Sequence, residues 1–329
     1  MSVSPVISKS LPPRLAQLVE EWTGRASVLT APAKINVRLK VEGRRPDGYH
    51  LLSMINCATS LTDTLVFTIL QEDTALIQVD PPMDIPTAVG ENLVTKAFQA
   101  FWREFELSDS RPGFSCVITK RIPIGGGLGG GSADAGAVIR HLVSIFGDAL
   151  REYFSLPEGQ FAARINRVAL SCGADVPYSC VGGLCWVGGI GEQVDRIRSS
   201  ELAPHRVLLS VPPVAVSTQA FYDRFRSDHP SVAQSLDQRG RSFARNPDSV
   251  SIVDLVENDF EETVIRLEPL IGKGLTLARE AFPRGTALTG SGSVFFSLVG
   301  DAQEGNAEAL SVRLSSLGIR TYLASLNFL

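Results

Sequence analysis

Alternating apolar and polar positions, rich in β-branched residues, predict strands near 27–41, 51–58, 62–70 and 74–80. The period then lengthens. Leu93, Ala97, Phe98, Phe101, Trp102 and Phe105 fall on one stripe and predict a helix over 91–107, its aromatic side chains serving as core contacts. A strand is expected at Ser115–Lys120, then a helix over 132–146 with Ser132 as N-cap and Gly147 as its stop. A further helix near 158–171 and strands at 178–187 and 205–211 follow. A short helix from 217 leads into a polar, arginine-bearing stretch over 224–250 that reads as a long surface loop. The chain continues with a helix over 260–281, a glycine-rich turn and a strand over 293–299. In the amphipathic helix after it, Ala307, Leu310, Leu314 and Leu317 share a face and Gly318 is the stop, before a last strand.

Length and composition narrow the class. At about 150 residues per domain, 329 residues imply two domains. The compositional shift near 203 divides them into 26–203 and 204–329, behind an N-terminal extension over 1–25 that carries a short amphipathic helix. A hydrophobic fraction of 44% and a mean hydropathy of +0.11 suit a globular chain with a large core. No run approaches the ~20 apolar residues of a membrane helix, so no membrane partner is expected. The net charge of −4 is interspersed and there is no basic block, which excludes a phosphate-neutralising nucleic-acid surface. Five cysteines without a CxxC pair, four histidines without zinc spacing, and no signal-peptide core at the N-terminus predict buried reduced thiols in a cytoplasmic protein.

The chemistry is concentrated in Ile122-Pro-Ile-Gly-Gly-Gly-Leu-Gly-Gly-Gly-Ser132. Six glycines in the seven positions 125–131 are costly in backbone entropy. Without Cβ atoms, their N–H groups can converge on one small anion, and a helix opening near Ser132 aims its positive end at the same place. Phosphate is the anion such a nest most often holds. Gly125, Gly127 and Gly130 also satisfy GxGxxG. The dinucleotide reading of that motif, an oxidoreductase, suffers from Pro123 at the strand–glycine junction and from the lack of a clear βαβ partner strand. A Walker loop is excluded because no Lys-Ser or Lys-Thr follows.

Further segments decide which phosphate protein this is. Ala31-Pro-Ala-Lys34-Ile-Asn36, Gly173-Ala-Asp175-Val-Pro177 and Leu288-Thr-Gly290-Ser-Gly292-Ser surround the glycine loop in chain order. Together the four resemble the GHMP kinases, small-molecule kinases without a Walker loop. The resemblance covers about 28–325 and implies a two-domain α+β fold. The N-terminal domain would resemble ribosomal protein S5 domain 2, the C-terminal one would be ferredoxin-like, and the site would lie in a cleft between them. Within the family, Arg45-Pro-Asp47-Gly48-Tyr49-His50, Val216-Ser-Thr218 leading to Tyr222, and Glu257-Asn-Asp259-Phe260 resemble the branch whose alcohol is a methylerythritol linked to cytidine diphosphate. Homoserine- and mevalonate-type kinases are the neighbouring alternatives. One departure is Ala133, where a second serine is common.

The resemblance implies roles. Pro123, Gly125, Gly126, Gly127, Leu128, Gly129, Gly130, Gly131 and Ser132 would hold ATP, with Asn92 on the same side and the Ser132 hydroxyl toward Mg²⁺. Asp175 would take the proton of the acceptor hydroxyl. A carboxylate with a solution pKa of ~4 is a poor base for an alcohol, so part of that role is orientation. Lys34 would stabilise the alkoxide and keep Asp175 ionised. With six lysines against twenty-five arginines among 31 basic residues, a lysine here favours a specific role. Tyr49 and Tyr222 would stack on cytosine and His50 would read its edge, while Asn36, Thr218, Gly290 and Gly292 would line the rest of the substrate. The partner is therefore a small molecule, and the protein is expected to act as a monomer or homodimer.

Overall fold

The computed structural model describes residues 10–81, 91–199, 205–229 and 235–328, with Thr218, Gln219 and Asp301 described by backbone alone. In chain order the first elements are α1 (Pro13–Trp22), β1 (Ala26–Arg44), β2 (His50–Leu70), β3 (Ala75–Asp80), α2 (Leu93–Glu104), β4 (Gly113–Thr119), α3 (Gly130–Tyr153), α4 (Glu158–Cys172) and α5 (Val176–Val181). They are followed by β5 (Leu184–Gly189), β6 (Gln193–Arg196), β7 (Arg206–Val211), α6 (Thr218–Asp228), α7 (Gln238–Arg245), β8 (Glu257–Asn258), α8 (Glu261–Leu267), α9 (Pro269–Ala281), β9 (Thr286–Leu288), β10 (Phe295–Val299), α10 (Glu304–Ser315) and β11 (Arg320–Asn327). Among the described residues no helix is long and apolar enough to cross a membrane.

These elements form two compact units that interleave along the chain. One holds the described residues up to Ala31, Asp63–Lys120 and Gly131–Cys180, and the other holds Pro32–Thr62, Arg121–Gly130 and the described residues from Val181 onward. In the first unit, β4 lies between β3, parallel to it, and the second half of β2, antiparallel. Its core is aromatic: Phe67 stacks on Phe114 at 5.3 Å, and Phe98 and Trp102 on the α2 stripe are buried with Phe146 of α3. The expected N-terminal helix is α1, whose Leu15 and Leu18 are buried. In the second unit, β11, β7, β10 and β9 are successive antiparallel neighbours. The helices α9 and α10 bury Ile271, Leu275, Leu310 and Leu314, which gives a sheet-and-helix layer of the expected ferredoxin-like kind. The first half of β2 pairs with β5, and β5 with β6.

Several expectations are corrected by tertiary contacts. The strands expected at 51–58 and 62–70 are one strand, β2, because its exposed Ser60 is used, its hydroxyl accepting the Ser325 N–H at 2.9 Å. The helix expected over 132–146 runs through Gly147, where even a Cβ would make only ordinary contact with Phe161 of α4 at 3.4 Å, so that glycine stops nothing. It also starts at Gly130, which puts Ser132 inside the first turn rather than at the cap. The strand expected from 178 begins as α5, opened by Ser179 donating both N–H and hydroxyl to the Asp175 carbonyl. The helix over 260–281 breaks into α8 and α9 at Pro269, since the residue before proline is pushed out of the α region.

The polar stretch 224–250 is corrected most. Outside 230–234 it holds the end of α6 and all of α7, whose N-cap Asp237 accepts the Gly240 N–H at 3.2 Å. Asp237 is buried and takes a two-pronged contact from the buried Arg38 of β1, with Nη2 at 2.8 Å and Nε at 2.9 Å. Glu42 of the same strand accepts the Asp237 N–H at 2.7 Å and pairs with Arg241. Burial and the Arg38 guanidinium act in opposite directions on Asp237, and the guanidinium wins, holding the carboxyl below its ordinary value.

Candidate active site

Positive φ at alternate residues shapes the glycine loop: Gly125 at +71°, Gly127 at +79° and Gly129 at +71°. Alternation of hand is the backbone pattern that turns successive N–H groups toward one point. The carbonyls of the loop are the tethered side. Gly126 O accepts the Val294 N–H at 3.2 Å, Leu128 O accepts the Lys34 N–H at 3.0 Å, and Gly127 O lies 3.5 Å from the Thr289 hydroxyl. A trans peptide points its carbonyl and the next N–H in opposite directions, so the N–H groups of Gly127, Leu128 and Gly129 face away from these tethers. Cβ positions tell why glycine is needed. At Gly127 a Cβ would lie 2.3 Å from Thr289 O, and at Gly126 it would lie 2.5 Å from a Val294 methyl. At Gly129 it would press on the Lys34 side chain at 3.2 Å, whereas at Gly125 it would meet nothing within 4 Å. The glycines therefore serve close packing as well as an anion cradle.

Beside the loop, β1 presents Lys34, Asn36 and Arg38 on one face, two residues apart, all buried. Lys34 Nζ donates to Asn36 Oδ1 at 2.7 Å. Asn36 Nδ2 donates to Asn56 Oδ1 at 2.6 Å, and its backbone N–H donates to the Thr289 hydroxyl at 3.0 Å. Thr289 is thus bonded to Asn36 and lies at the carbonyl of Gly127. Its own loop is held by Asn258, whose Nδ2 donates to Leu288 O at 2.8 Å and Gly290 O at 2.9 Å. Gly290 (φ +57°) stands where a Cβ would be 3.5 Å from Asn36 Oδ1 and from Gly127 Cα, while Gly292 (φ +78°) faces Leu288 and Val264. The arrangement joins Lys34, Asn36, the glycine loop and the Gly290 turn. Thr289 and Asn258 lie inside motifs legible in the chain but carry no signal there that marks them as connectors.

The expected base-reading residues divide. His50, at the start of β2, is buried, with its ring 5.7 Å from Tyr222 at an interplanar angle of 14° and edge-on to Phe225 at 5.2 Å. Its Nε2 is buried without a partner. Burial, and then the positive charges of Arg44 and Arg226 and the nearby His229, push its pKa below the ordinary value, so the ring is neutral and Nε2 is free to meet a polar edge. Tyr49 is 62% exposed on the turn closed by Gly48 (φ +93°). Tyr222 follows the Ser217 N-cap on α6, and Thr218 opens that helix with its side chain outside the description.

Four site residues belong to the first unit: Asn92, Gly131, Ser132 and Asp175. Asn92 caps α2, its Oδ1 accepting the Val94 N–H at 2.9 Å. Ser132 is half-buried in the first turn of α3, and beside it a Cβ on Gly131 would meet Leu93 at 3.3 Å. Asp175 is half-buried immediately before α5. The second unit holds Pro123 together with the Lys34, Asn36, Tyr49, His50 and Tyr222 group. Among the described residues no cluster of three or more His, Cys, Asp or Glu could hold a metal ion by itself.

Fold and site together define a small-molecule kinase. The GHMP kinases N-terminal domain matches residues 92–183. A homoserine kinase from Cytophaga hutchinsonii shares the fold at a TM-score of 0.64 and 15% identity, over 92% of this chain and 95% of that one. The particular family follows from closer relatives. A 4-diphosphocytidyl-2-C-methyl-D-erythritol kinase from Syntrophotalea carbinolica is 34% identical over 86% of this chain and 94% of its own length. One from Paramagnetospirillum magneticum is 32% identical over 88% and 93%. A crystal structure of 4-(cytidine 5'-diphospho)-2C-methyl-D-erythritol kinase superposes with a TM-score of 0.67 at 25% identity, over 92% of this chain and 99% of that one. The chain belongs to the 4-diphosphocytidyl-2-C-methyl-D-erythritol kinase family, and with it to the enzymes that take ATP as phosphate donor.

Proposed function

We propose that this chain transfers the γ-phosphoryl group of ATP to the 2-hydroxyl of 4-diphosphocytidyl-2-C-methyl-D-erythritol, a step in isoprenoid-precursor synthesis. The observation that carries the reading is the bonding of the Lys34 strand to the glycine loop, through Lys34 N–H to Leu128 O at 3.0 Å and Lys34 Nζ to Asn36 at 2.7 Å. An ammonium held beside a phosphate cradle is what a phosphoryl transfer to an alcohol requires.

In the reaction the acceptor oxygen forms a bond to the γ-phosphorus as the bond from that phosphorus to the bridging oxygen breaks, and ADP leaves. The hydroxyl proton passes to the Asp175 carboxylate. Lys34 and the loop N–H groups balance negative charge on the oxygens, and Asn36 aligns the acceptor. Gly126 to Ser132 would contact the β- and γ-phosphates, with Asn92 on the nucleotide side. His50 Nε2, neutral and unpartnered, suits the edge of cytosine, with Tyr49 and Tyr222 as stacking faces and Thr218, Gly290 and Gly292 along the rest of the substrate. Mg²⁺ would fit the donor set in one way: the half-buried Ser132 hydroxyl would offer it one ligand, water and phosphate the rest. When bound, it neutralises phosphate charge. In this reading 26–203 carries the nucleotide contacts together with Asn36, Tyr49 and His50, and 204–329 completes the substrate side, in a cytoplasmic monomer or homodimer.

Coupled release of ADP with the cytidyl substrate, homoserine and mevalonate tests the assignment. Turnover of the cytidyl substrate alone is expected, and efficient turnover of homoserine or mevalonate instead would overturn it.

A further inference from the structure

Lys120 directly follows β4 before the glycine loop, and Asp134 lies in the first turns of α3 after it. Lys120 Nζ reaches Asp134 Oδ2 at 2.8 Å and also pairs with Asp63 of β2. The three side chains are 5%, 6% and 0% exposed, respectively. One oxygen of Asp134, Oδ1, is buried with no partner. Two carboxylates thus share one ammonium inside the first unit, an arrangement that a packed apolar trio would match or better in stability. Its position is what sets it apart. The Lys120–Asp134 contact bridges the two ends of the segment 121–130, and the Lys120 N–H is itself held by Asp80 O at 3.1 Å.

We propose that Asp63, Lys120 and Asp134 form a clamp that closes the base of the glycine loop, with Asp134 a positioning residue for the nucleotide phosphates. The inference rests on the phosphotransfer reading. The clamp sets the distance between the end of β4 and the start of α3, and hence the span across which the loop must curl its N–H groups. The alternating φ values at 125, 127 and 129 need that span to stay fixed, because a slackened loop would lose its convergence. None of the three clamp residues is among those proposed to hold the acceptor, so its effect falls on the nucleotide.

The test measures ADP binding by titration calorimetry and both KM values in Asp134→Ala, with Asp134→Asn as rescue, since the amide oxygen still accepts from Lys120. Asp134→Ala is expected to weaken ADP binding and raise KM for ATP by about ten- to a hundredfold, with KM for the acceptor unchanged and Asp134→Asn restoring most of the loss. Nucleotide affinity within twofold of the unaltered protein overturns the proposal. If Asp134→Ala does not fold, Asp134→Glu, which keeps the charge and lengthens the clamp by one methylene, decides the matter. Loss confined to the nucleotide supports the clamp, and equal or absent effects on both substrates overturn it. Failure of the phosphotransfer reading shows separately, as no ADP binding by the unaltered protein, and overturns both.

Discussion

The glycine loop and the His50–Tyr222 region are built from different materials. The loop works through its backbone: carbonyls tethered to Lys34, Thr289 and Val294, N–H groups turned away from them, and glycine wherever a Cβ would strike a neighbour. The region proposed to read the base is built from side chains, with a buried neutral imidazole stacked on a tyrosine and a second tyrosine exposed next to it in the chain. A backbone site has little tolerance, because one added methyl displaces main chain that cannot rotate away. A side-chain site is graded, because each ring contributes separately and its neighbours can repack.

That contrast can be broken or sharpened. The largest effect is expected where neither material is at stake. Asp175→Asn keeps size and removes the proton acceptor, so kcat should fall by ~10²–10⁴ with ATP affinity nearly unchanged. Steady-state kinetics check this, and retention of more than a tenth of the rate would remove Asp175 from the reaction.

Next come the glycines. Gly129→Val places a β-branched residue at φ +71° against Lys34, costing ~1–3 kcal/mol in backbone strain alone and displacing the ammonium stem. Nucleotide binding should be lost in calorimetry while the fold survives in circular dichroism. Gly127→Ala should behave likewise, and Gly125→Ala, which bears the strain of φ +71° but whose Cβ meets open space, should be impaired less and keep measurable binding. If the three glycine variants were equally impaired, the packing account of the loop would be wrong.

Smaller and more selective is Tyr49→Ala. Loss of one stacking face is worth ~1–3 kcal/mol, roughly five- to two-hundredfold in KM for the cytidyl substrate, with KM for ATP unmoved and Tyr49→Phe close to the unaltered protein. His50→Ala should relax discrimination between cytidine and uridine diphosphate analogues, because it removes an edge reader rather than a face.

The smallest effect is a pH dependence. Since the folded pKa of His50 is lowered, the neutral ring and its contribution to stability are fully present above the unfolded value near 6.5. Both are lost as pH falls through the lower folded value. KM for the cytidyl substrate should be flat above pH 6.5 and rise by about two- to fivefold toward pH 5.5, and His50→Gln should flatten that rise. An unchanged KM across this range would take the neutral imidazole out of recognition.

What could be read from the chain alone follows one rule. Features that depend on local backbone chemistry were legible: the glycine loop, the DGYH turn, the aromatic stripe of α2 and the Ser217 start of α6 all announce themselves within a few residues. Asn92 was legible as a residue of interest, yet its oxygen is occupied as a helix cap. Features that depend on partners far away in sequence were not. The stretch 224–250 looks like a loop by composition, and Asp237 becomes the anchor of a helix only because Arg38, 199 residues earlier, is buried against it. Likewise Thr289 and Asn36 meet across 253 residues, and Lys120 looks like an ordinary strand-end lysine until Asp63, 57 residues away, comes beside it. Backbone conformation is set by neighbours along the chain, so sequence reports it. A buried charge or hydroxyl is stable only with a partner that the fold supplies, and its meaning waits for the tertiary structure.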